Sequence, residues 1–462
     1  MDPLSLIRGI LDTTEDAARA LVGRERIRLA VTGLSRAGKT VFLTSLIANL
    51  LAAGRGARTL PALSDAAGGR IRRVFIVPAG TETIPRFDPE GHLGALAADP
   101  PRWPERTEDF STLQIAIDVE RRTSLGGILP ERRVTLDLID YPGEWLLDLP
   151  MLRQDYAAWS EETLARLKRG VRAEPAAEFL AFLDGLPDDA AAEDALAKRG
   201  YTLYRDMLRT CRDVHGLRLL QPGRFLNPGP RGEAPLLWFF PLPATARGGL
   251  AQLCARRFDA YLADQRAYFL DPYFSRFHRQ VVLVDVLGAL HAGEEAFHDT
   301  GDALSAVASI VSGANWLERL LGAAPTRVAF AATKADHVPT RARDALAALV
   351  EHITLGARGR TEQSGADVSF HALAAIRCTE DAVARLEGHS VAAVRGVLLQ
   401  DGVGATIYPG EVPMKPPEPA FWDAGLFTMP EFRPPRLDPA GLSGVPHLGL
   451  DGLLAWLVGD AL

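Results

Sequence analysis

Short, almost continuously apolar runs alternate along the chain with segments in which apolar residues recur at helical spacing. The apolar runs lie at residues 27–32, 113–120, 133–140, 279–288, 326–336 and 367–376. Strands that are buried on both faces produce such runs, because neither face presents polar side chains to water. The alternation with helical segments predicts an α/β fold with a mainly parallel sheet and helices on both of its faces.

Three segments depart from this alternation. Residues 54–111 are rich in Gly, Pro and Arg with little periodicity, which predicts a long irregular excursion. Residues 150–212 have helical spacing without a strand-like run, and with the following segment up to residue 273 they predict a mainly α-helical insertion. Residues 401–446 are dense in Pro and Gly, which is typical of a segment that wraps over the surface before a closing helix.

These patterns predict five successive parts of the chain. The expected parts are an N-terminal helix at 1–25, a first part of the α/β domain at 26–149, the insertion at 150–273, a second part of the α/β domain at 274–400, and the wrapping segment with a C-terminal helix at 401–462. Within the first part, two apolar runs predict a strand pair joined by a turn at Gly126 and Gly127.

The first apolar run is followed at once by GLSRAGKT and then by an apolar segment at helical spacing. This GxxxxGK[ST] pattern between a predicted strand and a predicted helix is the strongest functional signal in the sequence. The glycines let successive backbone N–H groups point at phosphate oxygens, at the positive end of the helix. We expect Lys39 to place its charge on the β and γ phosphates and the Thr40 hydroxyl to ligate Mg²⁺. The expected nucleotide-binding residues here are Gly33, Leu34, Ser35, Arg36, Ala37, Gly38, Lys39, Thr40 and Val41.

A second apolar strand ends in DYPG, which contains Asp140 and Gly143. A carboxylate at the carboxyl end of a strand can reach a phosphate-bound magnesium through water, and the glycine offers a backbone N–H to the γ-phosphate. DxxG alone is a weak pattern, and an Asp that ends a strand is often only a turn or cap residue. Its place after the phosphate loop favours metal binding by Asp140 and nucleotide binding by Gly143.

A third apolar strand ends in TKAD, where Thr333, Lys334 and Asp336 fit the [NT]KxD pattern of guanine-specific sites. The Asp336 carboxylate can accept two hydrogen bonds from guanine, and adenine has no such donor pair. The alternative is a helix start in which Thr or Asp is a cap. A loop after the last strand, with Ala374 and Ala375, is in the place of a backbone contact to the base, although it lacks the usual serine.

The amino-acid composition argues against several classes of binding partner and structural site. The 462 residues carry a net charge of −7, which argues against a nucleic-acid or anionic-membrane partner. Three cysteines without a CxxC pair and ten scattered histidines predict neither a disulfide framework nor a protein metal cage. Lysine occurs only five times, and Lys39 and Lys334 both fall in nucleotide motifs.

The sequence predicts a cytoplasmic protein. Its N-terminus is acidic where a signal peptide is basic, and no run approaches the ~18 apolar residues of a transmembrane segment. Amphipathic spacing near the N-terminus leaves a peripheral membrane contact as an alternative, which the acidic residues there disfavour.

With these motifs in order, the sequence resembles the Ras-like P-loop GTPases, and more narrowly the YcjX family of bacterial stress-associated proteins. The resemblance is carried by VTGLSRAGKT, IDYPGEWLLDLPML, QPGRF, RQVVLVD, FAATKADH and YPGEVP. It implies a GTP- or GDP-binding domain with a large helical insertion. It also implies an association with envelope stress, and therefore an unidentified protein effector.

The resemblance implies roles for further residues. A first switch should supply a threonine to the magnesium, and Thr107 and Thr112 are both candidates. Thr107 is slightly preferred, because a ligand needs a loop that is free to close. Glu144 stands where Ras-type enzymes have a water-positioning Gln, so slow hydrolysis is expected unless a raised pKa makes it a general base. Arg36 could stabilise the transition state or form an outward salt bridge.

The expected function is that of a guanine-nucleotide-binding protein and slow Mg²⁺-dependent GTPase, acting as a regulatory switch in bacterial stress response. The catalytic candidates are Lys39, Glu144 and Arg36. One alternative is a P-loop ATPase, in which Asp336 would be a cap. The other is a scaffold that nucleotide stabilises without significant turnover.

Overall fold

The computed structural model describes residues 24–78, 85–105, 110–120, 131–229, 232–270, 277–311, 326–355, 366–425, 427–438 and 443–462. Three expectations from the sequence lie outside the described residues. They are the N-terminal helix before residue 24, the turn at Gly126 and Gly127, and the first-switch candidate Thr107.

The described residues form one large sheet and one small sheet. The strands of the large sheet are β1 (Arg24–Gly33), β2 (Ile71–Ile76), β3 (Ser111–Val119), β4 (Arg132–Asp140), β5 (Arg279–Val284), β6 (Arg327–Ala332) and β7 (Asp367–Ala372). They lie in the order β2-β3-β4-β1-β5-β6-β7. The pairs from β4 to β7 are parallel, and β3 runs antiparallel to both β2 and β4. The mainly parallel sheet and the antiparallel strand pair are therefore confirmed.

Helices cover both faces of this sheet and also form the segment between β4 and β5. They are α1 (Lys39–Ala53), α2 (Pro61–Ala66), α3 (Pro89–Ala97), α4 (Tyr156–Leu167), α5 (Ala173–Asp184), α6 (Asp194–Asp213), α7 (Gly223–Leu226), α8 (Gly249–Gln265), α9 (Val286–Ala292), α10 (Glu294–Val311), α11 (Arg343–Leu355), α12 (Pro419–Asp423) and α13 (Leu450–Val458). None of the described helices is long and apolar enough to cross a membrane.

The apolar runs are continuous because each strand packs into two cores. In β5, Val281 and Leu283 join the core beneath α1 and α13, while Val282 and Val284 join the core beneath α9, α10 and α11. All four side chains are at most 1% exposed. Burying each such side chain stabilises the fold by about 2 kcal/mol, so a polar residue on either face would be costly.

The segment between β4 and β5 has a third, aromatic core. Trp159 of α4 lies edge-on to Phe239, with ring centroids 5.6 Å apart, and also packs against Phe258 of α8. Tyr204 of α6 joins the same cluster. The helices from α4 to α8 therefore share a core of their own, which the sheet does not supply.

Two parts of the chain differ from the sequence-based expectations. The predicted irregular excursion at 54–111 is wrong in part, because it contains α2, β2 and α3. β2 is an edge strand that exposes Arg72 and Arg73, and these charges interrupt the apolar pattern by which a buried strand is recognised.

The second difference is a small antiparallel sheet formed by β8 (Thr379–Leu386), β9 (His389–Val397) and β10 (Gly404–Ile407), in the order β10-β9-β8. The sequence analysis did not predict it. Most side chains of β8 are exposed or half-buried, so the strand lacks the apolar run that marks β5 or β6. Its pairing with β9 through a tight two-residue turn stabilises it instead.

Candidate functional site

The predicted phosphate loop connects β1 to α1. Gly38 precedes the first residue of α1 with a left-handed φ of 76°, a conformation that glycine adopts without steric cost. No side chain caps this end of α1, and its first turn contains no acidic residue. Its backbone N–H groups and helix dipole therefore favour an anion.

The DYPG turn packs directly against the phosphate loop. A Cβ at Gly143 would collide with the backbone carbonyl of Gly33, and a Cβ at Gly33 would lie 2.9 Å from the Cβ of Leu283. Only glycine permits this approach of the two loops. Gly143 then begins a run of 3₁₀ turns, Gly143–Arg153.

Lys39 already contacts groups at the end of β4. Its Nζ lies 3.0 Å from Oδ1 of Asp140 and donates a hydrogen bond of 2.9 Å to the carbonyl oxygen of Tyr141. The ammonium is thereby placed over the amino end of α1, where it can also reach a phosphate.

Asp140 is 1% exposed, and its carboxylate forms an ion pair with the Lys39 ammonium. Burial raises its pKa above the ordinary value, while the charge of Lys39 opposes that rise. A buried carboxylate of this kind fits a site for a hard cation. Together with the Thr40 hydroxyl it offers the oxygen ligands that Mg²⁺ prefers.

Of the two first-switch candidates, the structure describes only Thr112. It lies within β3, where its N–H donates to the carbonyl of Pro85 and its own carbonyl accepts from Phe87. Its neighbour Ser111 is the residue directly opposite Asp140 in the β3–β4 register. Thr112 is therefore part of a strand, not of a loop that can close, and this placement does not favour it as a metal ligand.

Lys334 lies at the end of β6 with a left-handed φ of 60°. Its Nζ is 2.6 Å from Oδ2 of Asp285, the residue that follows β5. Burial alone would raise the pKa of Asp285, but the Lys334 ammonium and the N–H of Gly288 hold it below its ordinary value. Sequence reasoning missed Asp285, although its position at the end of an apolar strand was the available signal.

Both carboxylate oxygens of Asp336 have hydrogen-bond partners within the protein. Oδ1 lies 3.1 Å from Nδ1 of His337, and Oδ2 accepts the backbone N–H of Cys378 at 2.8 Å and its thiol at 3.0 Å. Burial works against ionisation of Asp336, but His337 and Cys378 lower its pKa below the ordinary value. Asp336 is therefore a fixed, ionised acceptor. Sequence reasoning missed both His337 and Cys378.

One cavity of about 510 Å³ joins these two ends. All the predicted residues of the phosphate loop line it, as do Glu144 and the five predicted base-site residues. The wall is completed by side chains that the sequence analysis had not predicted, among them Trp103, Arg212, Asn227, Cys378 and Phe432. The predicted phosphate-loop and base-site residues are thus brought together in one cavity, whereas Thr112, Asp140 and Gly143 are not among its lining residues.

Comparison with known proteins adds the family. Residues 27–462 match the YcjX-like family, DUF463. Two curated relatives are both named "Ras-like GTPase YcjX". The protein from Escherichia coli (strain K12) is 37% identical over 96% of this chain and 98% of its own length. The protein from Shewanella oneidensis (strain MR-1) is 35% identical over 94% of each chain. The chain belongs to the YcjX-like family.

In this YcjX-like protein the 3₁₀ segment after the DYPG turn is attached to the helical segment between β4 and β5. The side chain of Asp148 accepts the N–H of Gly223 at 2.7 Å, and the indole of Trp145 donates to the carbonyl of Asn227 at 3.0 Å. Trp145 is 1% exposed, so this segment is buried against the residues between β4 and β5. Burial raises the pKa of Asp148 to about 7, and its hydrogen bond to Tyr261 opposes that rise.

Proposed function

We propose that this protein binds guanine nucleotide with Mg²⁺ and hydrolyses GTP to GDP and inorganic phosphate. The observation that carries the proposal is the single cavity that joins the phosphate loop to Asp336. The name of the two relatives, Ras-like GTPase, supports the same activity.

At the phosphate end, we assign the triphosphate to the backbone N–H groups of residues 33–40 and to the Lys39 ammonium. Thr40 and Asp140 would hold Mg²⁺, which when bound supplies positive charge to the phosphate oxygens. The buried carboxylate of Asp140 supports this assignment, since burial raises its pKa despite the Lys39 ammonium and a cation would further offset its desolvation.

At the base end, we assign guanine recognition to Asp336, with Thr333, Lys334, Ala374 and Ala375 around it. The hydrogen bonds from His337 and Cys378 keep the Asp336 carboxylate ionised and oriented. An adenine base would leave this buried charge without its two donors, which disfavours the ATPase alternative.

We propose slow turnover because Glu144, not a glutamine, lines the cavity beside the phosphate loop. Its negative charge opposes the approach of the γ-phosphate. A role as a regulatory switch in bacterial stress response belongs to the same proposal and rests on the family resemblance. The contacts of Asp148 and Trp145 offer a route by which the nucleotide could act on the insertion at 150–273, which we propose as a separate domain.

The decisive experiment measures displacement of a fluorescent guanine nucleotide from the full-length protein by GTP and by ATP, with Mg²⁺ present. We expect GTP to compete at least ~100-fold better than ATP, since adenine lacks two hydrogen bonds to a carboxylate that together contribute roughly 3 kcal/mol. Asp336→Asn should abolish this preference, and Asp259→Asn, an exposed site on α8, should leave it unchanged. Equal competition by ATP would contradict guanine recognition.

A further inference from the structure

A buried arginine of the helical insertion lies next to the phosphate loop. Arg218 is 7% exposed and lines a small cavity together with Ser35, Glu144 and Arg212. The same three residues also line the nucleotide cavity, so the two spaces share a wall. Arg218 is therefore placed on the side of the phosphate loop where Glu144 follows the DYPG turn.

The backbone of Arg218 is fixed by the α/β part of the chain. Its N–H and the N–H of Leu219 both donate to Oδ2 of Asp299 in α10, the latter at 2.9 Å. The other oxygen of Asp299 pairs with the guanidinium of Arg172. The charge of Asp299 is thus balanced by Arg172, and the Arg218 side chain is not needed for that purpose.

The Arg218 guanidinium forms few stabilising contacts within the protein. Its Nη1 donates to the carbonyl of the preceding residue, Leu217, at 3.2 Å. Among the described residues no carboxylate forms an ion pair with it. A buried guanidinium without such a partner is costly, and an anion bound beside it would offset that cost.

The charged groups around Arg218 also place it near the phosphate loop. Burial lowers the pKa of Arg218, and the repulsion of Arg36 adds to this effect. Asp285, Asp299 and Glu144 attract its charge. Arg218 therefore interacts electrostatically with charged residues of the phosphate loop, the end of β5 and the segment after the DYPG turn. The phosphate loop and Glu144, the residue that follows the DYPG turn, also line the nucleotide cavity.

We propose that Arg218 is a catalytic residue supplied by the insertion, whose guanidinium contacts the terminal phosphate of GTP. This rests on the proposed GTPase function. A water oxygen attacks the γ-phosphorus, the bond from the γ-phosphorus to the β–γ bridging oxygen breaks, and GDP and inorganic phosphate form with release of the water proton. Charge that develops on the phosphate oxygens is stabilised by the guanidinium, as an arginine supplied in cis does in other GTPases.

The same placement explains how an acidic residue is tolerated beside the γ-phosphate. Arg218 attracts Glu144 and so offsets its repulsion of the phosphate oxygens. Arg36, the sequence-based candidate for this role, is exposed with a positive φ of 65°. Arg212 pairs with its neighbour Asp213, with 3.0 Å between Nε and Oδ1. Of these three arginines, Arg218 is the buried one, and it lines the small cavity that shares Ser35 and Glu144 with the nucleotide cavity.

The test compares full-length wild type with Arg218→Ala and Arg218→Lys in three measurements with Mg²⁺. Single-turnover GTP hydrolysis should fall roughly a thousandfold in Arg218→Ala and somewhat less in Arg218→Lys, which keeps the charge but loses the planar fork. Affinity for a non-hydrolysable GTP analogue should change less than about threefold, because the contact strengthens in the transition state. Affinity for GDP with aluminium fluoride, which resembles that state, should be lost.

Arg209→Ala on the exposed face of α6 is the matched control and should behave as wild type. If Arg218→Ala does not fold, Arg218→Lys carries the test. Hydrolysis at the wild-type rate would overturn the assignment of Arg218 and leave the GTPase proposal intact. Equal losses of hydrolysis and of analogue affinity, together with a lower unfolding temperature, would also overturn it. A wild-type protein that binds no guanine nucleotide would overturn both proposals.

Discussion

Each end of the nucleotide cavity contains a buried aspartate, and the two are satisfied in opposite ways. Asp140 is paired with the Lys39 ammonium through one oxygen, and burial still raises its pKa above the ordinary value. Asp336 has partners on both oxygens, and its pKa lies below the ordinary value. The phosphate end is therefore electrostatically incomplete without a ligand, whereas the base end is already organised.

This difference indicates how the two ends divide the work of recognition. A charge that lacks compensation gains most from a bound counter-charge, so the phosphate end should contribute most of the affinity. An acceptor that already has partners within the protein gains less in total, but it discriminates between bases, because a base without matching donors forms no hydrogen bonds with it. Variants at the two ends should accordingly affect different quantities.

The largest effect is expected for Lys39→Ala. Loss of the ammonium removes a charge-assisted contact to the phosphates and leaves Asp140 as an unpaired buried charge. We expect the affinity for GTP with Mg²⁺ to fall at least ~100-fold and stability to fall by about 3 kcal/mol. Calorimetry and thermal unfolding measure the two effects. Lys415→Ala, an exposed site, is the control, and an unchanged affinity in Lys39→Ala would refute the phosphate-loop assignment.

A smaller and more selective effect is expected for Asp336→Asn. An asparagine offers a donor where the carboxylate offered only acceptors, and xanthine carries an oxygen where guanine carries the amine. The variant should lose roughly 10- to 100-fold in GTP affinity and gain affinity for xanthosine triphosphate. Competition binding with both nucleotides checks this. A parallel loss for both nucleotides would show that Asp336 supports the fold and does not read the base.

Cys378 tests whether the organisation of Asp336 matters. Cys378→Ala removes the thiol donor but keeps the backbone N–H, and Cys378→Ser keeps a donor at the same place. We expect a loss of GTP affinity of about fivefold in Cys378→Ala, corresponding to one hydrogen bond, and recovery in Cys378→Ser. Because ATP affinity should not change, competition binding should show the same fivefold fall in the ratio of GTP affinity to ATP affinity. Identical ratios in all three proteins would show that the thiol does not position Asp336.

A third buried aspartate, Asp148, lies outside the cavity and should leave nucleotide affinity nearly unchanged. Its pKa rises from 3.8 to about 7 on folding, so the folded chain binds more protons than the unfolded chain between those values. Stability should therefore fall as the pH rises through this window, and Asp148→Asn should remove that fall. Urea denaturation at about pH 5 and about pH 8 measures it. Asp259→Asn should retain the wild-type dependence, and a wild-type slope in Asp148→Asn would contradict the assigned titration.

Much of this architecture could be predicted from the sequence because the chemistry is local. The phosphate loop, DYPG and TKAD each lie where an apolar strand ends, and the parallel sheet brings such ends to one edge. Asp285 and Cys378 carried no motif of their own. Their roles depend on contacts with Lys334 and Asp336, which are 49 and 42 residues away along the chain.

The sequence pattern also did not predict that the insertion places an arginine beside the phosphate loop. Arg218 lies in a stretch with no motif, and its place beside the phosphate loop comes from the backbone anchor at Asp299. The exposed strands β2 and β8 were missed for a different reason, since charged and half-buried side chains give no apolar run.

The indole of Trp103 lines the nucleotide cavity and donates a hydrogen bond of 2.8 Å to the carbonyl of Phe432 in the C-terminal segment. Indole emission responds to the polarity of its immediate surroundings. The chain thus carries an intrinsic fluorescent reporter in the wall of the cavity, so that loading and release could be timed by stopped-flow on unlabelled material, with Trp103→Phe as the reference for the emission of the other tryptophans.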